Sequence, residues 1–586
     1  MRQWMVAAKK ADFYAIAEKF HVDPVVARII RNREVIGEKN IRIYLGGNLS
    51  DLSDPHQMKD MDRLVEILAQ KIRKQVHIRI IGDYDVDGVT SSHLFLTALR
   101  RVGAKVDVVI PHRIQDGYGL SLHLLQQAKE DGVDTILTCD NGIAAIDEIA
   151  WAKAQKMTVL VTDHHAVPFE EHEGRRTEKK SLADAVVNPH QQDCGYPYKE
   201  LCGAGVAWNV IRVLYENYDM DKREAEDLLD FVAMATVCDV MSLTGENRIL
   251  VKEGLKRIRH TKNIGLQALM QACNVQQENI SAYHFGYVLG PCVNATGRLD
   301  TARHALRLFE TGQETEAEEI ARDLVDLNQE RKELTLQGVE MAKKLCEEGG
   351  YENDPVLVLF LPDVHESIAG LIAGRIREMY NRPVFVLTRG EEGVKGSGRS
   401  TENYSMYENM CGCAELFTKF GGHPMAAGLS LPEENVEKFR RKINENCPLT
   451  VEEVCPDIHI DMAMPVGYAS TELVHQFALL EPFGKDNPSP LFADRNLSIS
   501  RMWVIGKNRN VLRMSVLSEY GQPVPVIFFG DVETLFAYFT EKFGQEEVEN
   551  ALHGRKNRIL FSMVYTAKVD FYQGNENLQL EMKYYR

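Results

Sequence analysis

The sequence predicts a multidomain α/β protein: a parallel-sheet domain, a second α/β domain joined to it by a long helix, and a C-terminal β-barrel (OB-fold-like) domain. Three observations predict it. Short β-branched runs alternate with longer amphipathic stretches from about Val76 to Val187, which is the pattern of βα units. A charged stretch from Thr311 to Glu348 reads as one long exposed helix. After about Pro456 the helical period gives way to short β-rich runs.

Taken in order, the first domain has four expected strands: His77–Ile81, Lys105–Ile110, Thr135–Thr138 and Thr158–Val161. All but the second are followed at once by acidic or histidine residues, and ligands of open α/β sheets bind at the carboxyl ends of strands. Helices are expected over Gly203–Tyr218 and Glu226–Val237. The second domain opens with the apolar run Pro355–Leu361, followed by a helix over Ser367–Tyr380 and a strand over Pro383–Thr388. The barrel strands are expected at Leu497–Val504, Val511–Leu517, Pro523–Phe529 and Ile559–Val569. The resulting division is an N-terminal extension (1–50), a catalytic domain (51–260), a helical connector (261–348), a substrate-binding α/β domain (349–455) and the barrel (456–586).

A chain of 586 residues suggests about three or four units at roughly 150 residues each. With 44% hydrophobic and 26% charged residues the composition is that of an ordinary globular protein. The longest apolar run, Val356 to Leu361, is far short of the roughly 18 residues of a membrane span. Lys9, Lys10 and Asp12 interrupt any signal-like start, so no membrane association and a cytoplasmic location are expected. Eleven cysteines include one tight pair, Cys411 and Cys413, without the repeated spacing of a zinc site. A net charge of −17 argues against a protein that coats nucleic acid non-specifically, while leaving room for a local basic groove.

The chemistry-bearing residues fall in four places. Alternate aspartates Asp83, Asp85 and Asp87 precede Gly88, Asp140-Asn141-Gly142 follows the third strand, Asp163-His164-His165 follows the fourth, and Asp239 closes an apolar helix. Each alone has an ordinary reading, since Asp after a strand often caps a helix and Asp-Gly is a common turn. Together they bring several carboxylates to one sheet edge, where mutual repulsion would force proton uptake unless a cation is bound. Carboxylates with imidazoles and no thiolate suit Mn²⁺, with Mg²⁺ as the alternative. Two ions about 4 Å apart would activate water and stabilise a leaving oxygen, which suits phosphodiester hydrolysis.

Candidate anion contacts lie further along. The stretch Gly421, Gly422, His423 to Gly428 reads as a glycine-rich loop, next to Ser397 and Arg399 in Lys395–Ser400; such loops let backbone N–H groups approach phosphate oxygens. Over Leu491–Met514, Arg495, Arg501, Lys507, Arg509 and Arg513 face one acid, Asp494, with Trp503 among them. That mixture suits single-strand binding by stacking and charge; a solvated barrel face with a core tryptophan is the equal alternative.

The order DYDVDG, DNG, DHH and then ATVCD before ENR, spanning residues 83–248, resembles the four motifs of the DHH phosphoesterases. Within that superfamily the chain is similar to the RecJ single-stranded-DNA exonucleases. The similarity lies in Pro111-His112-Arg113 leading to Asp116–Leu120, Val187-Asn188-Pro189, Cys202–Ala207, and Gly290-Pro291 through Asn294, Gly297 and Arg298. Lys395–Ser400 and Gly421–Gly428 resemble the DHH-associated domain, and Glu481–Gly484 the approach to the RecJ barrel.

The resemblance implies that Asp83 holds one ion, Asp140 bridges both, and Asp85, His164 and Asp239 hold the other. It implies that His165 contacts the scissile phosphate, with Asp140 and Asp163 completing the catalytic set. Arg113, Arg298, Arg399, Ser397, Gly421, Gly422, His423, Trp503, Lys507 and Arg509 would contact the strand. The implied activity is 5′→3′ removal of mononucleotides from single-stranded DNA in repair and recombination, with a helicase and a single-strand-binding protein as candidate partners. Two departures stand out. Arg79 occupies the place of a histidine ligand of some relatives, so the first ion is expected to have fewer protein ligands, and His365–Gly370 is less glycine-rich than expected. Two other readings are a DHH phosphodiesterase for short oligonucleotides or cyclic dinucleotides, and a nucleic-acid-binding scaffold without catalysis.

Overall fold

Strands rich in Ile, Val and Leu on both faces belong inside a parallel sheet covered by helices, and the first domain is built that way. Ile78–Ile81, Val106–Val109, Thr135–Cys139, Thr158–Thr162 and Ala185–Val187 form one sheet, all parallel, with Ile78–Ile81 between Val106–Val109 and Thr135–Cys139. The computed structural model describes residues 3–586 except 114, 115, 118, 173, 174, 300, 391, 392, 507, 508 and 573. The chain divides into two units, Asp51–Pro456 and the combination of Gln3–Ser50 with Asp457–Arg586.

In the first unit the helix Val86–Arg101 is buried over most of its length, and the apolar helix Gly203–Asn217 carries Gly203, Ala204 and Gly205 at its buried start. The helix expected from Glu226 breaks into Arg223–Glu226 and Leu229–Cys238. A polar antiparallel pair, Phe169–His172 with Arg175–Glu178, has no apolar alternation that would announce it.

The long charged stretch is a helix of 35 residues, Glu314–Glu348, about 52 Å at 1.5 Å per residue. It is not wholly exposed. Ala317, Ile320, Ala321 and Leu324 form a buried stripe, and Val339, Ala342 and Cys346 enter the core of the second domain. The charges occupy the remaining face, as helical periodicity allows.

The second domain is a five-stranded sheet in the order Lys419–Gly422, Ala426–Leu431, Gly393–Arg399, Val384–Gly390, Leu357–Phe360. Only the last two run parallel. Here one expectation is corrected: Gly421–Gly428 is a β-hairpin, with Gly421 opposite Gly428 and Gly422 opposite Ala427, and no helix follows it directly. The cause is period-two burial of Ala427, Leu429 and Leu431, which selects a strand.

In the second unit, Phe492–Ile505 pairs with both Val511–Leu517 and Leu560–Tyr572. This closes a barrel that also holds Pro523–Phe529 and Asn575–Tyr585. Residues 3–50 belong to this unit rather than forming an extension of their own. The helix Pro24–Asn32 buries Val25, Val26, Ala27, Ile29 and Ile30 in the barrel's core cluster. Trp4–Val6 runs parallel to Ile458–Ile460, and Arg33 grips Asp461 through two hydrogen bonds of 2.7 and 3.1 Å. An amphipathic helix must cover its apolar face, and here the barrel supplies the cover. No helix among the described residues is long and apolar enough to cross a membrane.

Candidate metal centre

The turns after Ile78–Ile81, Thr135–Cys139 and Thr158–Thr162 carry Asp83, Asp140 and Asp163, so the parallel register of these strands delivers three acids to one sheet edge. Asp85 caps the helix Val86–Arg101, accepting from Gly88 N at 3.0 Å. Gly88 is required there, because a Cβ would lie 2.4 Å from Asp83 O. Asp140 has φ 61°, a left-handed conformation that costs on the order of 1 kcal/mol for a non-glycine residue and clusters at functional sites. Gly203 accommodates it: a Cβ at 203 would sit 2.6 Å from Asp140 Cβ.

Among the described residues three overlapping groups result, Asp83 with Asp85 and Asp140, Asp140 with His164 and His165, and Asp87 with His164 and Asp239. Donor atoms within each group lie within 4.8 Å of one another. His164 Nε2 is 3.0 Å from Asp140 Oδ1 and 3.5 Å from Asp239 Oδ2. All five side chains expected to hold ions are therefore brought together.

Burial, then the charge of Asp85, raises Asp83 well above the usual carboxylate range. Burial, then Asp87 and the other acids, does the same to Asp140. Burial lowers His164, favouring the neutral imidazole that ligates. Among the described residues the buried Asp83 Oδ2 has no hydrogen-bond donor. Nearby thiols do not compete: burial pushes Cys139 up to about 12 and Cys202 well above its ordinary value, leaving both protonated and poor ligands. A set of carboxylate oxygens and imidazole nitrogens fits Mn²⁺ or Mg²⁺.

Asp87 is the acid the sequence reading left out of the ligand set. Its carboxylate accepts from Gly203 N at 2.6 Å and Ala204 N at 2.7 Å, a charge at a helix N-terminus, while Oδ2 lies 3.7 Å from His164 Nε2. The signal was present as the third aspartate of the motif. Strand alternation does not interpret it, because the helix begins at Val86.

Asp163 is 1% exposed and accepts from Ile143 N, His164 N, His165 N and His165 Nδ1 at 2.7 to 3.1 Å. Burial opposes its charge, but the His165 contact and these N–H groups hold it below the usual range. Burial likewise opposes protonation of His165, yet the Asp163 hydrogen bond outweighs it and lifts His165 to about 9. Asp163 thus positions and charges His165.

Arg79 takes no part. Its guanidinium pairs with Asp107 at 3.0 and 2.7 Å and with Asp131 at 2.8 Å, a structural network that leaves the carboxylates to one another.

Beside the acids lies a cavity of about 450 Å³ lined by Tyr84 and Arg113 from the first domain and by Ser367, Lys395, Ser397 and Gly421 from the second. Arg298 donates to Ser367 O at 2.6 Å, and a Cβ on Gly370 would lie 2.8 Å from Arg399 Nη2. Burial, then Arg113, Arg331 and Arg399, lowers Arg298 to about 10. Burial, then Arg113 and Arg377, likewise lowers Arg399, so these guanidinium groups lie near one another, an arrangement suited to an anion. Gly422 and His423 are exposed in the hairpin turn, and neither lines this cavity.

On the barrel, Trp503 is 37% exposed rather than in the core, with Arg501 5.7 Å from its ring and Arg513 its strand partner. Arg509 is exposed in the turn between strands; Lys507 lies outside the described residues.

Comparison with known proteins adds family matches in all three domains. Residues 77–236 match the DHH family N-terminal domain, 353–447 the DHHA1 domain, and 460–584 the RecJ OB domain. A single-stranded-DNA-specific exonuclease RecJ from Haemophilus influenzae is 32% identical over 581 residues, covering 96% of each chain. Its counterpart from Bacillus subtilis is 33% identical over 87% of this chain, which spans 63% of that protein's length. A crystal structure of an exonuclease RecJ bound to manganese superposes with TM-score 0.56 at 32% identity, covering 66% of this chain and 94% of that one.

Proposed function

Since the chain belongs to the RecJ family of single-stranded-DNA-specific exonucleases, we propose that it hydrolyses single-stranded DNA from the 5′ end, one nucleotide at a time. The observation that carries the reading is the juxtaposition of the carboxylate–histidine cluster with the cavity lined by Arg113, Lys395 and Lys419.

Mn²⁺ or Mg²⁺ is the cofactor, and when bound, two ions supply Lewis-acid activation of water and charge stabilisation at the leaving oxygen. Asp83 and Asp85 would serve one side of Asp140, and His164 and Asp239 the other, with Asp140 joining the two groups; Asp85, expected from the resemblance to side with His164 and Asp239, groups instead with Asp83 and Asp140. His165, kept protonated by Asp163, donates a hydrogen bond to a non-bridging phosphate oxygen. Arg113, Arg298, Arg399 and Ser397 receive the strand's terminal phosphate. An anchor for that phosphate beside the scissile site would make the product a mononucleotide; the 5′→3′ polarity is what the resemblance to the RecJ exonucleases implies.

In this reading residues 51–260 are the catalytic domain, 261–348 the connector, 349–455 the substrate-binding domain and 456–586 the nucleic-acid-binding barrel, whose Trp503 and Arg509 contact the strand. Gly421 lines the cavity floor, with Gly422 and His423 at its hairpin rim. A role in repair and recombination, beside a helicase and a single-strand-binding protein, fits such an activity.

The test is digestion of 5′-labelled single-stranded DNA, duplex DNA and a dinucleotide, with and without Mn²⁺. Mononucleotides released only from the single strand and only with metal are expected. Turnover of the dinucleotide alone would instead identify a short-oligonucleotide phosphodiesterase.

A further inference from the structure

A continuous helical rod runs from Ala282 to Leu299, as Ala282–His284, the π-helical turn Phe285–Leu289 and Gly290–Leu299. It touches the ligand-bearing turns at two points. Cys238 Sγ, one residue before Asp239, donates to Phe285 O at 3.3 Å. Asn294 Oδ1 accepts from the N–H of Val86, one residue after Asp85, at 3.2 Å. Its far end carries Arg298, which joins the arginine cluster.

Its near end carries Tyr283 and Tyr287, 62% and 72% exposed, with rings stacked at a centroid distance of 5.1 Å and 24° between planes. The stack is held in place: His284 packs edge-on against Tyr283 at 5.7 Å, and His284 Nδ1 accepts from Ser281 N at 3.1 Å. Two large aromatics left in water cost apolar surface. The π turn that carries Tyr287 is a feature found frequently at functional sites.

We propose that Tyr283 and Tyr287 form a base-stacking platform for the single strand on the 3′ side of the scissile phosphate. The inference rests on the reading of the metal centre as a single-strand nuclease. The rod orders the contacts: Arg298 at the terminal phosphate, Asn294 beside the metal-ligand turn, then Tyr287. Seven residues separate Asn294 from Tyr287, about 10 Å along a helix, or roughly three stacked nucleotides at about 3.4 Å each. A nucleobase, with a π face of any sequence, is the occupant that exposed stacked tyrosines accept without specific hydrogen bonds.

The experiment compares the full-length protein with Tyr283→Ala/Tyr287→Ala and Tyr287→Phe on strands of two to twenty nucleotides. On the twenty-mer the double variant should raise KM about tenfold, in line with the loss of base stacking, with a smaller change in kcat. That penalty should grow as strands lengthen from two to six nucleotides, and Tyr287→Phe should restore KM. In parallel, 2-aminopurine at the third or fourth nucleotide should be quenched on metal-free wild-type protein, a readout independent of any variant's folding. An unchanged KM, a penalty equal at all lengths, or no quenching overturns the platform. Failure of wild-type protein to digest single strands would overturn the nuclease reading itself, a separate outcome.

Discussion

His165 Nδ1 lies 2.8 Å from Asp163 Oδ1, and that carboxylate also accepts the backbone N–H groups of Ile143, His164 and His165. Asp163 is thereby favoured as the carboxylate although buried, and its hydrogen bond lifts the imidazole to about 9 against the opposing effect of burial. The pair gives the metal centre one positive side chain that no metal has to supply.

His165→Ala should lower kcat by about 10² to 10⁴, the usual range for loss of a positioned proton donor, while the protein retains its bound manganese by elemental analysis. Asp163→Asn should also lose kcat, because the amide leaves His165 uncharged. Loss of metal in His165→Ala would assign the residue to the ligands instead.

Asp140 stands at the junction of two of the three ligand groups. Asp140→Ala should abolish turnover while the Kd for single-stranded DNA, measured by anisotropy, changes little, because Arg113, Arg298 and Arg399 remain. Wild-type turnover in this variant would refute the two-ion arrangement.

Burial, then the charge of Arg113, lowers both Arg298 and Arg399, and no carboxylate is among the causes of their shifts. Arg399→Ala should reduce kcat/KM on 5′-phosphorylated strands about tenfold to a hundredfold, as for loss of a charge-assisted hydrogen bond worth roughly 1.5–3 kcal/mol. Strands with a 5′-hydroxyl should lose much less, so the ratio of the two rates measures the contact.

Asp230 is 4% exposed; it accepts from Thr261 Oγ1 at 2.7 Å and Phe231 N at 2.9 Å. Burial, only partly offset by those bonds, lifts it to about 6. The folded protein thus holds this proton more tightly than the unfolded chain. The resulting destabilisation is absent below about pH 4, grows between about pH 4 and 6, and is complete above, where it is on the order of 3 kcal/mol. Asp230→Asn should raise Tm at pH 7.5 and leave it nearly unchanged at pH 4 by calorimetry.

Much of this protein is written in local patterns. The runs of Ile, Val and Leu, the 35-residue helix and the barrel strands Val511–Leu517 and Pro523–Phe529 follow from periodicity, because burial on one or both faces imposes a repeat on the chain. Asp83, Asp140 and Asp239 are legible for a related reason: each closely follows an apolar element, and Asp85 and His164 lie in the turns that such elements lead into. The Gly421–Gly428 hairpin was less legible, since glycine permits loop and strand alike and the decision lay in packing of Ala427, Leu429 and Leu431.

By itself, then, the sequence determined the fold class and marked most of the candidate acids, both of which depend on neighbours in the chain. Only the tertiary structure decided that Asp87 reaches across to Gly203 and Ala204, that Arg79 is occupied by Asp107 and Asp131, that residues 3–50 complete the barrel unit, and that Tyr283 and Tyr287 remain in water. Each of those depends on contacts between residues far apart in sequence, whose distances are set by how the elements pack and by no periodicity along the chain.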